Sequence, residues 1–214
     1  MAGPLPLFLL RTVLFPHMPL SLTVFEERYK QMLEDCLSTG KTFGVVAIKQ
    51  GEEVGGDATP CRVGTLARIQ HVEKMDDGRI NLVVTGASRF RVLREVSGKP
   101  YLQADVDYLT EEEAPLDGVL SGRVKKAFEN YLAGLRQIAP NLSVVPTIPS
   151  EDEVLGYLVA ATVETPLAAR QRLLEAPNPA ERMKMELQIL RFEADLVSRR
   201  VLPSVAPRGA FSRN

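Results

Sequence analysis

Histidine and cysteine, which often carry out catalysis or bind transition metals, are scarce in this chain. It has two histidines, His17 and His71, and two cysteines, Cys36 and Cys61. Metal sites usually gather three or four ligands at short spacings, and neither histidine stands at such a spacing from other ligands. We therefore predict no metal site and no cofactor, and we interpret both histidines as structural or solvated. A catalytic cysteine–histidine pair is the less favoured alternative.

Two short segments resemble catalytic or nucleotide-binding motifs but lack an essential residue. Gly40-Lys41-Thr42 could end a phosphate-binding loop, but that motif needs a glycine five positions earlier, where Asp35 stands. A helix-terminating Gly40 is the favoured interpretation. Gly86-Ala87-Ser88 begins like a nucleophile elbow, but Phe90 replaces the second glycine. A serine in a turn or bulge is favoured over a catalytic one.

Arginines cluster in one segment that is expected to be a strand. Arg89 and Arg91 share one face of it, with Arg94 further along and Arg68 on another strand. Arg68, Arg89 and Arg91 could hold an anion, and with Arg94 they would be the contacts of a nucleic-acid site. The 26 basic and 27 acidic residues nearly cancel, which disfavours nucleic acid and favours a solvated strand.

Composition limits the class of protein. The chain has 214 residues, of which 45% are hydrophobic and 25% charged, which is too apolar for a disordered protein. No apolar run approaches the ~20 residues of a membrane span, and the N-terminus lacks the features of a signal peptide. Two cysteines cannot form a disulfide scaffold, so a reducing compartment is expected. We expect a soluble, cytoplasmic protein of one or two domains.

The first half is predicted to consist of strands around one helix. The expected strands are 5–10, 20–25, 43–48, 61–72, 79–96 and 102–108, with a hairpin turn at Asp77-Gly78. One helix face is formed by Phe25, Tyr29, Met32, Leu33, Cys36 and Leu37. Cys36 is therefore expected in the core. Many strands with one helix favour a small, closed or nearly closed barrel.

The pattern changes at Glu111-Glu112-Glu113-Ala114-Pro115, and the chain beyond it has helical periodicity. The first of these helices is expected to end at Pro140. Its apolar stripe consists of Leu120, Val124, Ala127, Phe128, Tyr131, Leu132, Leu135 and Ile138. Start signals predict three more helices: a Ser150–Glu153 capping box, Pro166 as a first helical residue, and Asn178 as a cap before Pro179.

Short motifs follow one another along the first half in a fixed order. They are L-P-L-F at 5–8, V-L-F-P at 13–16, F-E-E-R-Y at 25–29, F-G-V-V at 43–46, V-G-T-L-A-R-I at 63–69, G-R at 78–79, V-T-G at 84–86 and R-F at 89–90. In type and order they resemble the N-terminal domain of the Lon ATP-dependent protease family. The resemblance covers residues 5–109, and the helical half is compatible with it to about residue 200.

The resemblance implies an α+β fold: a six-stranded barrel-like (PUA-like) β domain with one helix, followed by a C-terminal α-helical bundle. We place the β domain at 1–113, the bundle at 114–202 and a disordered tail at 203–214. In that family the domain precedes ATPase and Ser–Lys peptidase modules, for which this sequence has no residues. We therefore expect a stand-alone, non-catalytic protein that is accessory to ATP-dependent proteolysis.

The function implied by the resemblance is binding of unfolded or damaged polypeptide, or of a protease or chaperone partner. An RNA-binding PUA-like module is the alternative, and a small-molecule ligand of the barrel is a third possibility. The candidate peptide-binding residues are Phe8, Phe15, Pro16, Met18 and Leu20, which either line an exposed apolar groove or fill the core. The segment Phe15–Met18 is the best candidate for an exposed loop, since prolines hold it rigid.

The last predicted helix carries two adjacent apolar seams. One consists of Met183, Leu187, Leu190, Ala194 and Val197, and the other of Met185, Ile189, Phe192 and Leu196. The favoured interpretation is that one seam packs in the bundle and the other on the barrel. The alternative is a homodimer or partner face that includes Met183, Met185, Ile189 and Phe192.

Overall fold

A computed structural model of the chain describes residues 3–51, 53, 58–111, 118–138 and 146–201. The strands are β1 (Leu5–Leu10), β2 (Pro19–Val24), β3 (Thr42–Gln50), β4 (Thr59–Lys74), β5 (Ile80–Val96) and β6 (Gln103–Tyr108). The helices are α1 (Glu27–Thr39), α2 (Gly118–Ile138), α3 (Asp152–Thr162), α4 (Leu167–Glu175) and α5 (Pro179–Val201). The predicted order of elements is confirmed. The predicted helix end at Pro140 and the tail 203–214 lie outside the described residues.

The six strands form one sheet in the order β2-β5-β4-β3-β1-β6, in which only β1 and β3 run parallel. β5 is long enough to pair with three strands. Its first part, Ile80–Thr85, pairs with β2, and its last part, Phe90–Val96, pairs with β6, while β4 lies along its other edge. The pairings therefore return from β6 to β5, and β2 lies outside this ring.

The hairpin between β4 and β5 is confirmed at Asp77-Gly78. Gly78 has a φ of +79°, a conformation that glycine adopts without strain. The amide of Met75 donates to the carbonyl of Arg79 at 2.8 Å, which closes the turn. The turn thereby sets the register of the two longest strands.

Helix α1 packs its predicted apolar face against the sheet. Tyr29 stacks on Phe8 of β1 with ring centroids 4.0 Å apart, and Cys36 is buried as expected. Phe25 is an exception, because it precedes the helix and is 53% exposed. Gly40 ends the helix as predicted, but its backbone is extended, and Lys41 takes the positive φ of 57°.

Helices α2, α3 and α5 enclose a second core with the predicted stripe of α2 at its centre. The cap of α5 is confirmed, because the Asn178 side-chain oxygen accepts the Glu181 amide at 2.9 Å. The capping box is wrong: α3 begins at Asp152 without a side-chain cap. Pro166 stands one residue before α4 rather than inside it. No helix in the described ranges combines the length and apolarity needed to span a membrane.

The two halves share a third apolar cluster. Phe15 and Val63 of the strand half pack there with Tyr157 of α3 and with Leu173 and Leu174 of α4. Apolar side chains buried between two layers of secondary structure stabilise both layers together. The position of α3 and α4 on the sheet therefore rests partly on hydrophobic packing.

A bulge in β5 holds the loop that follows β1. Thr65 pairs with Arg89 and Ala67 with Gly86. Between these two pairs, β5 has two residues and β4 has one. Ser88 therefore lies in a bulge, as predicted. The carbonyl of Gly86 accepts the amide of His17, and its own amide donates to the carbonyl of Met18, both at 2.9 Å.

The contact between Gly86 and the loop after β1 predicts that alanine at this glycine lowers the free energy of unfolding, whereas alanine at an exposed helical glycine raises it. A Cβ at Gly86 would lie 2.1 Å from the Phe15 carbonyl oxygen, so Gly86→Ala must displace the loop. We expect a loss of about 1–3 kcal/mol in the free energy of unfolding. Gly122 lies exposed in α2 with open space around it, and Gly122→Ala should add about 0.5–1 kcal/mol. Urea denaturation measures both, and equal effects would contradict the predicted clash.

Candidate functional site

The predicted peptide-binding residues do not form an exposed groove. Phe15 is 1% exposed, and Phe8 and Pro16 are also buried. The interpretation as exposed binding side chains is therefore wrong for these three, and the rings of Phe8 and Phe15 fill apolar clusters of the core. Met18 and Leu20 are half-buried, and their role stays a prediction.

The sequence suggested that Arg89 is a solvated strand residue, but the structure shows that it is buried. Its side chain is 3% exposed, and one guanidinium nitrogen donates to the carbonyls of Leu174 and Ala176 at 2.7 and 2.6 Å. These carbonyls end α4, where the unpaired groups of the helix terminus favour a cation. The other terminal nitrogen lies 3.1 Å from the Glu111 carboxylate. Arg89 therefore joins β5 to the helical half.

Glu111 connects Arg89 to a second buried arginine. Arg182 of α5 lies 2.8 Å from the same carboxylate oxygen, and the Tyr157 hydroxyl also donates to it. The Arg182 guanidinium lies over the Tyr157 ring at 4.0 Å and donates to the Leu173 carbonyl at 3.2 Å. Burial raises the pKa of Tyr157, so the phenol keeps the proton that it donates. We call Arg89, Glu111, Tyr157 and Arg182 the buried arginine network.

The three arginines expected to hold an anion are not brought together. Arg68 is exposed and lines a cleft of about 510 Å³, which His17, Ser88, Arg89, Glu111 and Tyr157 also line. Arg91 is exposed in a different cleft. Since Arg89 is already paired, the predicted three-arginine site is wrong as a unit.

The cleft that contains Arg91 is about twice the volume of the cleft that contains Arg68. It has a volume of about 1010 Å³ and runs between the first residues of β4 and helix α4. We call it the β4–α4 groove. Its residues are Ile48, Lys49, Thr59, Pro60, Cys61, Arg62, Val63, Arg91, Leu109, Leu167, Ala168, Gln171, Arg172 and Glu175. Sequence analysis missed this site, because only Arg91 among these residues had been singled out as a site residue.

The floor of the groove is apolar. Ile48 and Val63 are buried in the strand half, and Leu109 and Leu167 are half-buried beside them. Gln171 is buried at the wall, where its amide donates to the Val63 carbonyl at 3.0 Å and to the Glu175 carboxylate at 2.7 Å. An apolar floor with a few fixed polar groups is typical of a binding site.

The two cysteines occupy different environments. Cys61 is half-buried in the groove, whereas Cys36 lies in the core, where burial raises the pKa of its thiol to about 11. Burial also raises the pKa of Cys61. Neither is close to His17 or His71 in any described contact. In the part of the chain that the structure describes, no three His, Cys, Asp or Glu side chains gather as a metal site would require.

The proposed partner face on α5 is divided by the fold. Met183 is fully buried in the bundle, so its assignment to an exposed face is wrong. Met185 and Ile189 are half-buried and contact the cluster shared with the sheet, as the favoured interpretation expected. Phe192 is 63% exposed. Leu196 and Val197 lie outside the side chains that the structure describes.

Comparison with known proteins places this architecture in a family. The family model for the ATP-dependent protease La (LON) substrate-binding domain matches residues 4–191. The chain belongs to the Lon substrate-binding domain family. A Lon protease from Anaeromyxobacter dehalogenans is 29% identical over 215 residues, covering 98% of this chain and 25% of the relative. Lon protease 1 of Thermus thermophilus is 31% identical over 205 residues, covering 89% and 25%.

Solved structures agree with the Lon assignment. A Lon N-terminal domain protein from Xanthomonas campestris is similar with a TM-score of 0.66 and 26% identity, covering 87% of this chain and 98% of that one. The N-terminal domain of a Mycobacterium avium complex Lon protease has a TM-score of 0.67 at 17% identity and supports the fold alone. The chain spans about a quarter of the length of the curated Lon relatives it matches.

The buried arginine network makes a prediction for stability. Arg89→Met removes one cation and leaves the Glu111 carboxylate and two helix-end carbonyls less satisfied. We expect a loss of about 3–5 kcal/mol in the free energy of unfolding. Arg91→Met, two residues away and exposed, should change it by less than about 0.5 kcal/mol. Urea denaturation compares them, and similar values would contradict a structural role for Arg89.

Glu186 of α5 makes a prediction for pH dependence. It is buried, and neither carboxyl oxygen has a hydrogen-bond partner among the residues that the structure describes. Burial raises its pKa well above the usual value, opposed by the charge of Arg182. Because the folded-state pKa exceeds the unfolded-state value, its stabilising contribution is complete below about pH 4. That contribution is lost as the pH rises toward the folded-state pKa.

Glu186→Gln, which resembles the protonated acid, should therefore raise the free energy of unfolding at pH 7 by about 1–3 kcal/mol and leave it unchanged near pH 4. Glu193→Gln, on the same helix and more exposed, is the matched control and should show no such trend. Urea denaturation at the two pH values measures the difference. If Glu186→Gln changed the free energy of unfolding equally at the two pH values, the result would show that the Glu186 carboxylate does not take up a proton on folding.

Proposed function

We propose that this chain binds segments of unfolded or damaged polypeptide in the β4–α4 groove. The observation that carries the proposal is the apolar floor of this groove, which is wide enough for several side chains and lies between a strand and a helix. The family to which the chain belongs is described as the substrate-binding part of an ATP-dependent protease. The substrates of a protease are polypeptides, and unfolded ones expose apolar side chains.

The finer expectations about this domain belong to the same proposal. The cycle of pairings through β5, β4, β3, β1 and β6, with β2 added along β5, supports a barrel-like form of the six-stranded domain. The match to a substrate-binding region supports binding without catalysis, as an accessory to ATP-dependent proteolysis. A protease or chaperone partner is the other occupant to be tested. RNA binding loses support because Arg89 is buried and paired, while Arg68 and Arg91 lie in separate clefts.

A single substitution in the groove tests the proposal. Leu167 is the first residue of α4 and contributes apolar surface to the floor. Leu167→Ser should weaken binding of a reduced, carboxymethylated unfolded protein about tenfold, because roughly 1.4 kcal/mol of apolar contact is lost. Fluorescence anisotropy measures the dissociation constant, and thermal denaturation verifies that the variant is folded.

Two control variants locate the effect. Leu93→Ser alters an equally apolar, 63% exposed side chain on β5 away from the groove and should bind as the wild type does. Phe192→Ser tests the exposed part of α5 in the same way. A folded Leu167→Ser protein that binds the client normally would refute the groove. Loss of binding only in Phe192→Ser would assign the client to α5 instead.

A further inference from the structure

The first residues of β4 have one unpaired edge. Pairs to β3 extend as far as Pro60 and Thr59, but the ladder between β4 and β5 begins only at Val63, which pairs with Arg91. Thr59 and Pro60 therefore pair with β3 on one side, Cys61 and Arg62 follow in a bulge of that ladder, and in the described part of the chain the other side of residues 59–62 faces the β4–α4 groove and not a strand. A strand edge without a partner carries backbone groups that another chain can bind.

The opening arises because β5 leaves β4 at this point. After Arg91, β5 continues along β6, with Val92 opposite Val106 and a register shift before Arg94. Helix α4 stands across the gap rather than filling it with a strand. The Gln171 amide donates to the Val63 carbonyl at 3.0 Å, which shows that this carbonyl points toward α4 and not into a strand ladder. The Gln171 side chain thus occupies the position where a strand added beside β4 would begin.

The residue types on this segment suit an open edge. Pro60 lacks an amide hydrogen, and proline within sheets is confined to edges, first residues and bulges. A register shift between Ile48 and its neighbours in β3 bends β4 here. Bulges and prolines in an edge strand hinder the pairing of further copies of the same protein with that edge. A short extended segment can still pair with part of the edge.

The groove carries an excess of positive charge. Lys49, Arg62, Arg91 and Arg172 are all exposed along it, and Glu175 is the one carboxylate among the described residues that line it. No ion pair joins these four cations to a carboxylate within the described ranges, and Glu175 already accepts the Gln171 amide. The whole chain is close to neutral, so this is a local excess. Such a patch attracts acidic groups and disfavours basic ones.

We infer that the groove binds an extended apolar segment bearing acidic side chains, which pairs as an added strand with the free edge of β4 at residues 59–62. The inference rests on the proposed function and specifies its substrate class. Backbone hydrogen bonds to an edge strand bind an extended chain with little regard to sequence, and the flanking surface selects side chains. Here the apolar floor contacts alternate side chains of the bound segment, and the four cations of the groove bind its carboxylates.

The test uses ten-residue fluorescent peptides with alternating apolar residues and either two aspartates or two lysines. The acidic peptide should bind at least tenfold more tightly at low salt, and the difference should shrink at high salt because screening weakens it. The double variant Arg62→Gln, Arg91→Gln should remove most of the preference. Arg68→Gln, an exposed arginine outside the groove, is the matched control and should keep it.

N-methylation of the peptide backbone tests strand addition without altering side chains. Methylating alternate amides in one of the two possible phases should weaken binding at least tenfold, while the other phase has little effect, since a strand directs alternate amides to opposite edges. Equal affinities of all methylated and unmethylated peptides would overturn strand addition. Equal affinities of the acidic and basic peptides would overturn the proposed selection by charge.

The rate of Cys61 alkylation distinguishes failure of this inference from failure of the proposed function. Cys61 lines the groove, whereas the buried Cys36 is the internal control. A bound peptide or unfolded client should slow Cys61 alkylation at least threefold and leave Cys36 unreactive. Protection that is insensitive to N-methylation and to peptide charge would refute only the inference. Binding of the unfolded client without protection of Cys61 would refute the groove itself.

Discussion

The structure depends on one shared carboxylate. Glu111 accepts Arg89 from the strand half and Arg182 and Tyr157 from the helical half. Two buried guanidinium groups would each cost several kcal/mol without a partner. The folded state therefore keeps α3, α4 and α5 in positions where these charges stay paired, and a displaced helix would leave a cation in an apolar environment.

This constraint shapes the groove. Arg89 binds the last carbonyls of α4, while Gln171 from the same helix binds the carbonyl of Val63 in β4. Both interactions hold α4 at the place where β4 and β5 separate. The groove thus has one wall of backbone edge and one wall of helix, with buried polar contacts between them. A binding surface built on rigid elements loses little conformational entropy when a ligand binds.

Local patterns were sufficient for most of the fold. The apolar alternation along β5, the turn at Asp77-Gly78 and the Asn178 cap each depend on neighbouring residues, and each prediction was confirmed. The capping box at Ser150 was wrong, because Glu151 and not Ser150 stands at the N-cap position of α3. Local signals locate a helix start only to within one or two residues.

The candidate site was hardly predictable. Its parts come from β3, β4, β5, the residue after β6, and α4, and none of them is unusual in its own stretch of sequence. Phe15 seemed available for binding because its loop has two prolines, yet the tertiary contact with Tyr157 buries it. Arg89 and Arg91 are indistinguishable by alternation, and only the position of α4 makes one buried and the other exposed.

By itself, the sequence determined the elements, their order and the Lon family, because turn chemistry, periodicity and short motifs act over a few residues. Only the tertiary structure decided which apolar side chains remain for a ligand and which arginines are already paired. Burial and ion pairing join residues far apart in the chain, such as Arg89 and Ala176. The free edge of β4 is likewise invisible in its sequence, since a strand is open only where the fold supplies no neighbour.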